Sequence, residues 1–118
     1  GIVPVAVDEP GIVAEDYHLY QNFPNPFNPS TTIEYKLKSR SRVRLDIYDS
    51  NGELVKTVIN KEQEGGYYSI TVNAEDLVSP GNNAGGVASG VYIYRINVID
   101  SEKNIPVYIN SRKMVLLK

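Results

Sequence analysis

Apolar residues in this chain recur at every second position, and nowhere do they hold an i, i+3, i+4, i+7 spacing for ten residues. A repeat of two belongs to a strand with one buried face; a helix needs 3.6. Thr31–Lys38 sets Ile33, Tyr35 and Leu37 against Thr32, Glu34, Lys36 and Lys38. Arg42–Asp49 sets Val43, Leu45 and Ile47 against Arg42, Arg44, Asp46 and Tyr48. Tyr67–Asn73 places Tyr68, Ile70 and Val72 on one face. In Gly90–Asp100, the strongest pattern, Tyr92, Tyr94, Ile96 and Val98 oppose Val91, Ile93, Arg95 and Asn97. The pattern predicts six or seven short strands in an all-β sandwich or barrel. Antiparallel pairing is the default, because no segment is long enough for crossover helices.

Turn chemistry divides the strands. Asp49-Ser50-Asn51-Gly52 reads as a hairpin turn whose Asn-Gly supplies positive φ. Leu54–Asn60 is the return strand, with Leu54, Thr57 and Val58 or Ile59 contending for the core; its broken alternation predicts a bulge. Lys61–Gly66 reads as a polar loop. Ala74–Ser89 is the longest irregular stretch, and its Gly- and Asn-rich centre is expected to be mobile. Ser101–Lys103 turns the chain. Ile105–Asn110 and Arg112–Lys118 then finish it as two strands, with Met114 and Leu116 opposite Val115 and Leu117.

A length of 118 residues suits one domain. The absence of Cys removes disulfides, thiolate metal sites and cysteine nucleophiles. A single His removes most imidazole catalysis and His-rich metal centres. No apolar run is long enough for a membrane-spanning helix. Residues 1–16 hold four acids and no base, with Pro4, Pro10 and Gly11. Setting those acids aside leaves twelve bases and ten acids, a body of +2. That balance does not suit nucleic acid or an anionic membrane. Residues 1–16 therefore read as a linker or processing segment with a short strand around Val3, Val5 and Val7, and 17–118 as the folded domain.

Between these parts, Tyr17–Asn22 is short and β-favouring. It runs into Phe23-Pro24-Asn25-Pro26-Phe27-Asn28-Pro29-Ser30. Prolines this dense forbid a helix and a central strand, and hold Phe23, Asn25 and Asn28 extended. Phe23 and Phe27 are expected to plug one end of the sandwich while the prolines protect an edge.

Three blocks carry a resemblance to a known family. They are Gln21-Asn22-Phe23-Pro24-Asn25-Pro26-Phe27-Asn28-Pro29-Ser30-Thr31-Thr32-Ile33, then Ser89-Gly90-Val91-Tyr92-Ile93-Tyr94-Arg95-Ile96, then Arg112-Lys113-Met114-Val115-Leu116-Leu117-Lys118. Asp46-Ile47-Tyr48-Asp49, Asn51-Gly52 and Gly66-Tyr67 fall between them in order. The chain resembles the type A C-terminal sorting domain of the type IX (Por) secretion system, and is similar to the Ig-like domain of flagellar hook-capping proteins. The resemblance implies a seven-stranded antiparallel Ig-like sandwich without catalysis of its own. It implies that the domain takes an upstream cargo, which can be an enzyme, across the bacterial outer membrane to the surface or medium. The implied partners are the type IX translocon and a sortase-like peptidase that cuts upstream, before surface attachment or release. Arg112, Lys113, Met114, Val115, Leu116, Leu117 and Lys118 would be the strand that the translocon reads, through an exposed edge or by β-augmentation, together with its neighbouring loops. Phe23, Pro24, Asn25, Pro26, Phe27, Asn28, Pro29, Gly90 and Tyr92 would be structural motif residues. The placement of the last block at the chain end favours sorting over a hook-cap-like assembly module; the Gly- and Asn-rich stretch at 81–86 departs from the pattern.

No nucleophile–base pair, metal constellation or cofactor motif emerges. Lys36, Lys38, Arg40, Arg42 and Arg44 face out on two strands, and read better as a solvated face paired with acids than as a site for an anionic partner. Tyrosine supplies nine of eleven aromatics. Tyr35, Tyr68, Tyr92 and Tyr94 read as core or cross-strand partners, and Tyr17, Tyr20, Tyr48 and Tyr67 are candidates for an exposed sugar-binding row. His18 reads as a surface residue. Asn73, Glu75, Asp76, Asn82 and Asn83 fit no calcium-loop spacing.

Overall fold

Alternation along the chain becomes the facing interior of two sheets. The structure, a computed structural model, describes residues 16–77 and 90–117. Its strands are β1 (His18–Leu19), β2 (Ser30–Leu37), β3 (Ser41–Tyr48), β4 (Leu54–Gln63), β5 (Gly66–Asn73), β6 (Gly90–Asp100) and β7 (Pro106–Leu116). One sheet runs β1-β2-β5 and the other β4-β3-β6-β7, every neighbouring pair antiparallel. A 3-10 turn, Ala74–Asp76, follows β5. This is the antiparallel seven-stranded Ig-like sandwich that the alternation and the resemblance implied. The expected strand at Val3–Val7 and the centre of the Ala74–Ser89 stretch lie outside the described residues.

Most of the core is the expected set, although Tyr68 and Ile70 are only half-buried. Ile33, Tyr35 and Leu37 of β2 and Val72 of β5 face Val43, Leu45 and Ile47 of β3, Tyr92, Tyr94, Ile96 and Val98 of β6, and Met114 and Leu116 of β7. Leu19, Phe27 and Leu77 complete it. Burial of each aliphatic side chain contributes about 1.5–3 kcal/mol before entropy is counted. Polar side chains inside are largely bonded, the buried Ser101 hydroxyl excepted. Tyr35 donates to Gln63 Oε1 (2.6 Å) and stacks on Tyr68 at 5.4 Å between centroids. Asp46, on the solvent-facing parity of β3, is nonetheless buried. Its carboxylate accepts Arg44 Nε (2.8 Å) and Thr57 Oγ1 (2.6 Å), which compensate for the loss of water.

Four local expectations are corrected. Leu54 is 42% exposed and Thr57 is exposed, whereas the other contenders, Val58 and Ile59, pack against the core together with Val55. The reason is the bulge that the broken alternation foretold: the β3–β4 register shifts at Leu45/Asp46 and at Ile47/Tyr48. Lys61–Gly66 is not a loop. β4 continues through Gln63 opposite Ser41, leaving Glu64 and Gly65 to connect the sheets. Gly65 fits because a Cβ there would lie 2.9 Å from the Lys38 carbonyl oxygen. In the β3–β4 turn, Gly52 alone supplies positive φ (83°). Asp49 Oδ1 organises the turn by accepting the amides of Asn51 (2.9 Å) and Glu53 (3.0 Å). Finally, Ile105–Lys118 is not two strands: β7 runs unbroken from Pro106 to Leu116 along β6.

Candidate functional site

β7 sorts the last sequence block by parity. Met114 and Leu116 are fully buried. Arg112 turns inward and donates from Nε to the Leu19 carbonyl at 2.7 Å. Lys113 and Leu117 are exposed and Val115 half-buried on the outer face. The block expected to act as one strand signal is thus split: three residues hold the sandwich together and three face outward. Lys118 lies outside the described residues.

The edge of β7 is not open along this block. The segment after β1 runs beside it, parallel to it where Phe27 bridges Leu116. The Phe27 amide donates to the Val115 carbonyl (2.9 Å), and the Leu117 amide donates to the Phe27 carbonyl (3.1 Å). Asn25 Oδ1 takes the Val115 amide (2.9 Å), and Gln21 Nε2 donates to the Lys113 carbonyl (2.6 Å). Side chains of the opening thus stand in for strand groups that prolines cannot supply. The opening therefore already occupies the edge along this block.

A buried polar knot holds the opening in place. Asn22, 2% exposed, donates its backbone amide to the Tyr94 hydroxyl (2.7 Å) and its Nδ2 to Thr31 Oγ1 (2.9 Å) and the Pro24 carbonyl (3.1 Å). Thr31 Oγ1 donates to the same carbonyl at 2.8 Å. The Tyr94 hydroxyl donates to the Tyr20 carbonyl at 2.8 Å. Burial pushes that phenol up to about 12, against the opposing pull of the Asn22 amide and Arg112. Phe23 pairs with Thr32 across β2, and the X–Pro bonds at Pro24, Pro26 and Pro29 are cis. The opening crosses from one sheet to the other.

The other motif residues separate here. Phe27 is 2% exposed and is the plug that the sequence suggested. Phe23 is 72% exposed and is not, because its backbone is held by β2 while its ring projects outward. Pro24, Asn25, Pro26, Asn28 and Pro29 are exposed. Tyr92 is buried and donates to the Leu77 carbonyl at 3.3 Å; burial first, then Asp49, raises its phenol. A Cβ on Gly90 would meet open space, so packing does not explain that glycine. Gln21, Asn22, Thr31 and Tyr94 all lie in the quoted blocks. Their bonds to one another and to β7 carried no separate signal, since the partners are far apart in sequence.

Four of the five residues of the basic cluster meet side-chain partners, Lys38 is exposed, and the cluster is split between sheets. Lys36 Nζ lies 2.7 Å from Asp16, which holds the ammonium up and the carboxyl down. Arg40 meets Glu64 and Glu62, Arg42 donates to Asn60 Oδ1, and Arg44 to Asp46. Tyr17, Tyr20, Tyr48 and Tyr67 are half-buried rather than aligned in an exposed row. Tyr17 stacks on Tyr108, His18 packs edge-on against Tyr20, and Arg95 covers Tyr48. Among the described residues no group of three or more His, Cys, Asp or Glu could hold a metal ion. No helix among them is long and apolar enough to cross a membrane.

Fold and site together define an Ig-like β-sandwich domain sealed along one side by its own opening segment. The sequence matches the family described as the secretion system C-terminal sorting domain over residues 21–109. The chain belongs to that family, the sorting signals of type IX secretion. It is also similar to the crystal structure of dimeric latent PorU from Porphyromonas gingivalis, with a TM-score of 0.57 and 27% identity, over 91% of this chain and 10% of that one. The chain thus spans about a tenth of that protein's length. No curated protein matches it.

Proposed function

We propose that residues 17–118 act as a noncatalytic address that carries an upstream cargo through the type IX translocon. The translocon would recognise the outward row Lys113, Val115 and Leu117 on the intact sandwich. The observation that carries this reading is the seam between the proline-rich opening and the last sequence block. With Met114 and Leu116 buried and the strand edge taken by Asn25 and Phe27, the outer face is what the last block still offers. Residues 1–16, acidic and broken by Pro and Gly, would serve as the linker that a sortase-like peptidase cuts, before surface attachment or release. A hook-cap-like assembly role and sugar binding are less favoured, the second because the candidate tyrosines are half-buried.

The test is export of a reporter fused ahead of residues 1–118 in a host with a working type IX system. Lys113→Glu with Leu117→Ser changes only outward side chains and should leave the reporter in the periplasm. Export equal to the unaltered domain would overturn this surface. Deletion of Arg112–Lys118 is a poorer test, because it also removes two core residues.

A further inference from the structure

A β-sandwich has four sheet edges, and each is a template for another strand unless defended. Three are defended here. β1 is two residues long, and its Leu19 amide and carbonyl are taken by the Tyr108 hydroxyl and Arg112. β7 is covered by the opening along its second half. β4 is bulged twice against β3 and carries exposed Lys56, Lys61 and Glu62. Among the described residues β5 has none of these devices. Its register with β2 is unbroken from Ser30↔Asn73 to Leu37↔Gly66, and it contains no charge and no proline.

The direction of its backbone groups follows from β2. Thr32 exchanges both backbone hydrogen bonds with Phe23, and the Glu34 carbonyl takes the Tyr20 amide. Thr32 and Glu34 therefore turn away from β5. Their antiparallel partners, Thr71 and Ser69, turn away from β2, and the period of two adds Tyr67 and Asn73. Among the described residues nothing bonds to this row. The apolar interior is also unfinished on this side: Tyr68 and Ile70 of β5, and Val55, Val58 and Ile59 of β4, are only half-buried.

We propose that β5 is a pairing surface for a second copy of this chain, forming a two-fold antiparallel β5–β5 contact centred on Ile70. The fit is self-complementary. Residues 67, 69, 71 and 73 are symmetric about 70, so Ser69 faces Thr71 and Tyr67 faces Asn73 of the other copy, and every outward N–H meets a carbonyl. The two Ile70 side chains meet on the axis and cover half-buried aliphatic surface. No charged residue on the strand opposes its symmetry mate. The two three-stranded sheets would become one of six.

The test is sedimentation velocity of the 1–118 chain from micromolar to millimolar concentration, with two variants. Self-association that Ser69→Lys with Thr71→Lys weakens at least about tenfold is the expected result. Both side chains are exposed, and denaturant titration checks that the fold is kept. Ile70→Cys supplies an independent readout, since the chain has no other cysteine. Position 70 would face itself in a non-hydrogen-bonded pair about 4.5 Å apart between Cα atoms, inside disulfide range, and the Ile70→Cys chain should cross-link on mild oxidation. A chain monomeric at every concentration overturns the proposal. So does a dimer that ignores the lysines and leaves the Ile70→Cys thiols uncoupled, or one that Ile109→Lys on β7 abolishes instead.

Discussion

The Tyr94 hydroxyl stands between two backbone groups of the opening, taking the Asn22 amide at 2.7 Å and donating to the Tyr20 carbonyl at 2.8 Å. Tyr94→Phe leaves that buried amide without a partner. The expected loss is about 1–3 kcal/mol of unfolding free energy, read by urea titration. A change below a few tenths would mean that the knot contributes little to holding the opening.

The same phenol gives a pH dependence. Its folded value is raised to about 12, above the ordinary tyrosine value of about 10. The neutral form is the one the fold favours. The associated stability is complete below the unfolded value and is lost as pH rises through the folded one. Ultraviolet titration should count one fewer late-ionising tyrosine in Tyr94→Phe than in the unaltered chain, where burial also raises Tyr35, Tyr68 and Tyr92, and stability should decline less across that alkaline window.

An acidic counterpart lies at the β6–β7 turn. The Asp100 carboxylate accepts the Lys103 amide (2.8 Å), the Ser39 hydroxyl (3.0 Å) and the Glu102 amide (2.9 Å), which together hold its carboxyl below the usual range. Stability from this group is present above the unfolded value and is lost as pH falls through the lowered one. Denaturation midpoints measured down a pH series should fall less steeply for Asp100→Asn than for the unaltered chain.

Two phenylalanines four positions apart should behave in opposite ways. Phe27→Ala empties a site that is 2% exposed and should cost about 3–5 kcal/mol. Phe23→Ala, at a site 72% exposed, should stay within about 0.5 kcal/mol. Equal losses in thermal or urea unfolding would contradict the separate placements of the two rings.

Glycines divide similarly. Gly65→Ala pushes a methyl to 2.9 Å from a backbone oxygen and should cost about 1–3 kcal/mol. Gly90→Ala meets open space and should be neutral or slightly stabilising. Melting temperatures of the two variants decide it.

The strands most legible from sequence were those with one wholly buried face. β2, β3 and β6 alternate cleanly because each inner residue meets the opposite sheet. β4 was harder, because an edge strand with two bulges shifts which side chains reach the core. Asp46 broke the polar-outward rule through Arg44 and Thr57, one of them on a neighbouring strand. In the opening, prolines erase any period, so nothing local distinguishes Phe27 from Phe23. The seam was the least legible part. The three blocks could be recognised singly, but the bonds of Gln21 and Asn25 to Lys113 and Val115 join residues about 90 positions apart and leave no mark at either end.

That separation carries a consequence for the order of synthesis. Asn25 waits for an acceptorless amide at Val115, 90 residues further along the chain. The seam therefore forms only after β7 has emerged from the ribosome. Anything encoded ahead of the domain has by then been translated. Completion of the seam thus reports that the whole sandwich has been made.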